Sequence, residues 1–240
     1  MEKRKIADIN ISVECVVFGY DNNRLKVLLI EQKPPPNGQL SIDSLQASIP
    51  GDLMLASESI DQCLHRILKE YLGAAPEFLK QFHVFANPSR MKGLIDKDWH
   101  RQFRSHHDKP VIALTWYALV QMNNFNPEIE SVGAKAIWLD IAKVEDLVLD
   151  HNLILKKAIS ELREDLLHYD IGLEILPDKF TLSQLQNLYE IIADEQLDKR
   201  NFRKMIKKMD NLIALNEKQQ GVLHKPAQLF RYNKVKKELM

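Results

Sequence analysis

The hydrophobic period changes once along this chain, near residue 145, and one regular architecture cannot carry both patterns. Before that point, ISVECVVFGY (11–20), LKVLLIE (25–31), FHVFAN (82–87), PVIALTWYALVQM (110–122) and AKAIWL (134–139) read as strands. Asp21-Asn22-Asn23 turns the first pair into a hairpin, and Pro34-Pro35-Pro36-Asn37-Gly38 marks a loop. One helix interrupts them, with Ser57 as the expected N-cap and apolar residues at 60, 63, 64, 67, 68, 71 and 72, the spacing of a single face. After residue 145, VEDLVLDHNLILKKAISELREDLLHY and TLSQLQNLYEIIA (181–193) repeat apolar residues at helical spacing. A chain of 240 residues has room for two modest cores. The expectation is an α+β protein divided into residues 1–145 and residues 146–240.

The second part ends in a recognisable order. Thr181 follows the turn-forming Pro177-Asp178 as an N-cap, and Asp198 caps KRNFRKMIKKM (199–209). Positions 202, 205, 206 and 209 of that helix are apolar, which leaves Arg200, Arg203, Lys204, Lys207 and Lys208 facing outward. Strands LIAL (212–215) and QLFRY (228–232) then enclose a polar loop with Lys218, Gly221, His224 and Lys225. Helix, turn, helix and ribbon spell a winged helix-turn-helix. Charge agrees with it: residues 1–198 hold 21 Lys and Arg against 30 Asp and Glu, and residues 199–240 hold 12 against 3. The basic block is interleaved with Phe202, Met205, Ile206, Met209, Leu212, Leu229, Phe230 and Tyr232, so it reads as a folded nucleic-acid surface and not as a solvated tail. The expected DNA face comprises Thr181, Ser183 and Gln184 of the first helix, Lys199, Arg200, Asn201, Arg203, Lys204 and Lys207 of the second, and Lys225 of the wing. RNA readers show aromatic platforms or glycine-rich loops, which this segment lacks, so an RNA-binding or protein-interaction module is the weaker reading.

Other classes are disfavoured. No apolar run approaches the roughly 18 residues of a membrane span, and MEKRKIADINIS lacks the apolar stretch of a signal peptide. Cys15 and Cys63 sit in apolar segments without metal-ligand spacing, as core residues of a cytoplasmic protein would. His100, His106 and His107 occupy a polar loop (91–109) with no matching carboxylate or thiolate pattern, so a metal is not expected.

Residues 49–73, IPGDLMLASESIDQCLHRILKEYLG, resemble the box of the Nudix hydrolase family, G-x5-E-x7-R-E-U-x-E-E-x-G-U with U aliphatic. Glu58, Arg66, Leu68, Glu70 and Gly73 match; Asp52 takes the first glycine position, with Gly51 before it. Ile67 and Tyr71 take two of three glutamate positions that, in the family, supply metal ligands and a base. A hard Mg²⁺ ion needs carboxylate oxygens, which Glu70 alone does not provide, so no catalytic residue is assigned and hydrolysis is disfavoured. Ile67 and Tyr71 also extend the apolar stripe of the helix. FTLSQLQNLYE and LDKRNFRK behind such a domain make the chain similar, over roughly residues 11–235, to the Nudix-related transcriptional regulators. That resemblance implies an N-terminal Nudix-like α/β/α sandwich with a mixed sheet. It implies a homodimer on double-stranded operator DNA that represses genes of NAD biosynthesis or salvage, with ADP-ribose as effector and no cofactor.

The cleft residues expected to meet such a ligand are Gln32, Lys33, Arg66, Glu70 and Arg90, with Lys and Arg suited to a diphosphate. Phe85, Trp116 and Tyr117 are the aromatics available for an adenine, against ordinary core packing. For Arg66, the competing reading is a helix pair with Glu70. Two alternatives stand beside the ADP-ribose-responsive repressor: an active ADP-ribose pyrophosphatase using Glu58 and Glu70, fused to a DNA-binding domain, and a regulator of the same build that answers to a sugar such as arabinose. Ala47 stands where the family commonly has a tryptophan before the box.

Overall fold

The computed structural model describes residues 7–21, 24–32, 47–73, 75–76, 78–88, 90, 109–122, 134–168, 173, 175–209, 211–223 and 225–233. Its first part is a mixed sheet of seven strands. They are β1 (Asn10–Tyr20), β2 (Leu25–Gln32), β3 (Ala47–Ser48), β4 (Gly51–Leu53), β5 (Phe78–Phe85), β6 (Val111–Val120) and β7 (Ala134–Asp140). The order is β3-β2-β1-β6-β5, with β4 also on β1 and β7 also on β2. β1 is central: it runs parallel to β6 over ten register pairs, from Asn10↔Val111 to Gly19↔Val120, and antiparallel to β2 and β4. A strand sandwiched in this way must be apolar on both faces, and from Ser12 onward every β1 residue is buried.

Each face of the sheet is covered by a helix, so the expected α/β/α sandwich is what forms. Helix α1 (Ile60–Leu72) lays Cys63, Leu64, Ile67, Leu68 and Leu72 on one face, against Val13, Cys15, Val17, Leu28 and Trp116. Its N-cap is Ser59, two residues beyond the expected Ser57: the Ser59 hydroxyl accepts from the Gln62 N–H while the Gln62 side chain accepts from the Ser59 N–H. A glutamine three residues on completes that reciprocal box for Ser59 and for no earlier serine. Gly73, at φ +73°, closes the helix in the left-handed conformation glycine tolerates.

Helix α2 (His151–His168) covers the other face. It starts seven residues after Val144, where the pattern opens, because a short 3₁₀ turn (Ile141–Lys143) and Leu149, at φ +57°, interrupt the path. Its inner side is fastened to the sheet by charge as well as by packing. The Lys80 ammonium pairs with the buried Asp165 carboxylate at 2.6 Å, and the Tyr117 hydroxyl donates to the same carboxylate. Beyond α2 follow α3 (Leu182–Ala193), α4 (Lys199–Ile206) and a ribbon of β8 (Leu212–Lys218) and β9 (Gln228–Tyr232). One cluster of buried side chains runs from Val16 and Phe18 of the sheet through Ile154 and Leu162 of α2 to Leu185, Leu188, Phe202 and Ile206 of the last helices. The Asn187 amide donates to the Tyr20 hydroxyl at 2.9 Å, and the Arg163 guanidinium to the Ile192 carbonyl at 2.7 Å. One continuous core therefore runs across position 145/146.

The remaining expectations shift at their edges. β5 begins at Phe78, four residues before the FHVFAN run, with a register shift between Gln81 and His83 that breaks the alternation. β3 and β4, of two and three residues, carry no readable period. Helix α4 ends at Ile206 and not at 209, because the Lys208 and Met209 N–H groups reach back only three residues, to Met205 and Ile206. β8 runs to Lys218, past 215, by means of a bulge after Ala214. His100, His106 and His107 lie outside the described residues, as do Lys33 and His224.

Candidate functional site

The box turn is built around one guanidinium. Gly51 lies so close to β1 that an added Cβ would meet the Glu14 side chain at 2.8 Å and the Val13 carbonyl at 3.0 Å. That close approach brings Asp52 across from Val13 and under the first turns of α1. Arg66 then collects the loop: its Nη1 donates to Asp52 at 2.7 Å, its Nη2 to Glu58 at 2.8 Å and to the Leu53 carbonyl at 3.2 Å, and its Nε to Glu58 at 3.1 Å. The Arg66 hydrogen bond, then the Leu55 N–H, hold the Glu58 carboxyl down at about 2. The Glu70 pairing considered for Arg66 does not form; Glu70 is exposed on the outer side of α1. Ile67 is fully buried in the α1 face of the sheet, and Tyr71 packs half-buried beside it, its phenol pushed up to about 12 by burial, then by the Glu70 and Asp52 carboxylates. Among the described residues no three His, Cys, Asp or Glu side chains gather as a metal site would need.

Arg90 stands on the opposite side of the sheet. Its side chain is only 2% exposed and donates to both Asp150 oxygens, at 2.9 and 2.6 Å, and to Glu14 at 3.3 Å. Burial opposes its charge, but Asp150 and Glu14 outweigh that cost and raise its pKa above the ordinary arginine value. The same cluster touches the box loop, because the Ile49 N–H donates to His151 Nδ1 at 3.0 Å and the Val148 N–H to the Ala47 carbonyl at 3.1 Å. Sequence reasoning named Arg90 but neither Glu14, Asp150 nor His151, which come from 60 to 137 positions apart in pairs no local pattern links.

The aromatic candidates separate. Trp116 packs with the α1 side, whereas Tyr117 and Phe85 belong to the α2 side, where Tyr117 stacks on Phe78 at 5.6 Å. Trp116 and Phe85 therefore do not share one face. Gln32 ends β2, its side chain outside the described residues.

The basic face has the opposite character. Thr181 and Gln184 form the capping box of α3, so these two side chains are engaged in starting the helix, while Ser183 is exposed. The turn between α3 and α4 is fixed by Glu190, whose carboxylate accepts from the Leu197 N–H at 3.0 Å and from the Gln186 amide at 2.8 Å. Asp198 accepts from the Asn201 N–H at 2.8 Å, and Phe202 meets Tyr189 edge-on at 5.6 Å. These contacts aim α4. Phe202 and Ile206 are buried, and Lys199, Arg200, Asn201, Arg203, Lys204 and Lys207 are all exposed. None of those cations makes an ion pair with a described residue. Lys225 is exposed on the wing, whose base is held by reciprocal Phe180–Phe230 backbone bonds of 3.0 and 2.7 Å.

Comparison with known proteins agrees with both halves. Residues 172–232 match the family model of the NrtR DNA-binding winged helix domain. The ADPR-responsive transcriptional repressor NtrR of Acinetobacter baylyi is 25% identical over 226 residues, covering 92% of this chain and 81% of the relative. The crystal structure of Shewanella oneidensis NrtR complexed with a 27mer DNA superposes with a TM-score of 0.70 at 22% identity, covering 92% of this chain and 93% of that one. A MutT/nudix family protein from Enterococcus faecalis gives a TM-score of 0.65 at 18% identity, over 97% and 89% of the two chains. Residues 172–232 are thus an NrtR-type DNA-binding winged helix domain set behind a mixed-sheet sandwich, and the two together have the build expected of the Nudix-related transcriptional regulators.

Proposed function

We propose that this chain is a cytoplasmic, homodimeric repressor of NAD biosynthesis or salvage genes, released from operator DNA when its Nudix-like domain holds ADP-ribose. The observation that carries it is the unpaired cationic face of α4, set on a helix whose turn, cap and buried side are all satisfied. Charges left without internal partners on a rigid support suit phosphates and base edges. The relative from A. baylyi, named for its response to ADPR, supports the choice of effector.

Residues 1–145 are the sensing part and residues 146–240 the linker helix with its DNA-binding part. The sensing part does not hydrolyse its ligand. At the box, Ile67 is sealed in the core and Tyr71 is a half-buried phenol, so a metal would find only Glu70 of the three acids the chemistry calls for. Arg66 and Arg90 serve the ligand as framework, since their guanidinia are already held by carboxylates. Direct contacts then fall to Gln32, Lys33, Glu70 and Trp116, with Phe85 on the far face.

Operator titrations at fixed salt test this reading. Saturating ADP-ribose should lower DNA affinity about 5- to 150-fold, the span of a ~1–3 kcal/mol coupling, and DNA must weaken ADP-ribose binding by the same factor. Bound ADP-ribose with unchanged DNA affinity rejects the switch, and AMP released from ADP-ribose in Mg²⁺ at enzymatic turnover rejects the inactive sensor.

A further inference from the structure

The tip of the β8–β9 hairpin carries a large apolar side chain that stands fully exposed. Leu223 is 110% exposed, whereas the other exposed large apolar side chains lie between 37% and 56%. A single leucine in water needs no explanation on an ordinary surface. This one stands at the point of a rigid stem. The Gln219 N–H closes the loop on the Ala227 carbonyl at 2.8 Å, Gly221 turns at φ +72°, and Pro226 fixes the return path. Lys218, Lys225 and Arg231 are exposed along the stem, and residues 218–237 contain no Asp or Glu.

We propose that Leu223 enters the minor groove of the bound duplex and wedges open a base step, bending the DNA. The inference rests on the DNA-binding reading and adds a residue, a groove and a deformation to it. A groove about 6 Å wide admits one side chain more readily than a helix, and α4 already presents the surface suited to the wider groove. Phosphates on either side of the wedge meet Lys218 and Lys225, with Arg231 further back at the base of the ribbon, and the leucine leaves water for the stacked faces of two bases. The apolar surface beside Leu223 is small, Val222, Pro226 and Ala227, and is flanked by Lys218 and Lys225, a mixture better suited to a narrow charged groove than to a broad apolar partner.

The test uses the full chain and a duplex that it selects from a random-sequence library, labelled at both ends so that energy transfer reports the bend. Wild type should bend that duplex. Leu223→Ala should bind about tenfold more weakly, in line with loss of one buried leucine contact, and leave the duplex straighter. Leu223→Lys should bind through its charge yet fail to bend. Neither variant should alter the fold, since the side chain is fully exposed. A selected duplex that stays straight with wild type, or variants that bend it equally and bind within twofold, overturns the wedge while leaving DNA binding intact. So does a change of oligomeric state with the bend unchanged, which would mark a contact between copies. Failure of wild type to select any duplex overturns the wedge together with the DNA-binding reading.

Discussion

Helices α1 and α4 both carry arginine at a motif position, and the structure treats the two oppositely. Arg66 of α1 spends its donors on Asp52, Glu58 and the Leu53 carbonyl, so its charge is consumed in shaping a loop. Arg200, Arg203 and Lys204 of α4 have no charged partner among the described residues, although α3 and the Asp194–Asp198 turn supply four acids within the neighbouring sequence: Glu190, Asp194, Glu195 and Asp198. Glu190 and Asp198 are occupied by backbone N–H groups, and Asp194 faces Arg163 at 3.5 Å. An internally answered cation belongs to the fold; an unanswered one waits for something outside. That rule separates framework from interface where composition alone treats both as basic.

The comparison can be broken first at its most rigid point. Ile67→Glu puts back a family acid where the side chain is fully buried, so it should cost about 3–5 kcal/mol, as an unpaired buried charge does, and yield no hydrolysis. Thermal unfolding and an ADP-ribose assay in Mg²⁺ read both outcomes; an unchanged melting temperature would show that the site opens more than its burial implies. At the other helix, Arg203→Ala should weaken operator binding by about 1–3 kcal/mol and reduce the salt slope, with stability unmoved because no described residue pairs with that exposed side chain. Binding within about twofold of wild type would show that the assigned face is wrong. Arg66→Ala should do the reverse. Its partly exposed partners regain water, so the expected stability loss is about 1–2 kcal/mol, measured by urea unfolding, with intrinsic operator affinity unchanged in the absence of effector.

The smallest effect is a titration. Glu58 is held down at about 2 from an ordinary 4.5, chiefly by its hydrogen bond from Arg66. A carboxylate lowered by folding stabilises above its unfolded pKa, and that contribution fades as pH falls from about 4.5 to about 2. Glu58→Gln should therefore flatten the acid limb of the stability profile in that window and nowhere above pH 5. A parallel profile for the two proteins would place the acid sensitivity in another group.

What could be read from the sequence was what neighbouring residues decide for themselves. Thr181 and Asp198 were legible as caps because a cap is written within three residues. The expected Ser57 cap gives way to Ser59 because the deciding partner, Gln62, lies three residues after Ser59 and five after Ser57. The ribbon and the outward cations of α4 followed from period, since the pattern of 202 and 206 against 200, 203 and 204 is local. The effector side was far less legible. Alternation does put Trp116 and Tyr117 on opposite faces, but the register shift after Gln81 removes the parity that would fix the face of Phe85. Nothing local announces that Arg90 will find Asp150 and Glu14, because that meeting depends on how α2 crosses the sheet.

The shared core has a consequence for how such a molecule is built and divided. With Tyr20 bonded to Asn187 and Arg163 to the end of α3, the inner wall of the DNA-reading part is furnished by the sensor and its linker helix. A fragment starting at residue 172, where the family match begins, would leave that wall facing water. Heating the intact chain should then give a single melting step, with both halves lost together. An evolutionary recombination that moved the winged helix onto a foreign sensor would have to carry α2 with it, so the inheritable unit in this lineage is longer than the stretch that touches DNA.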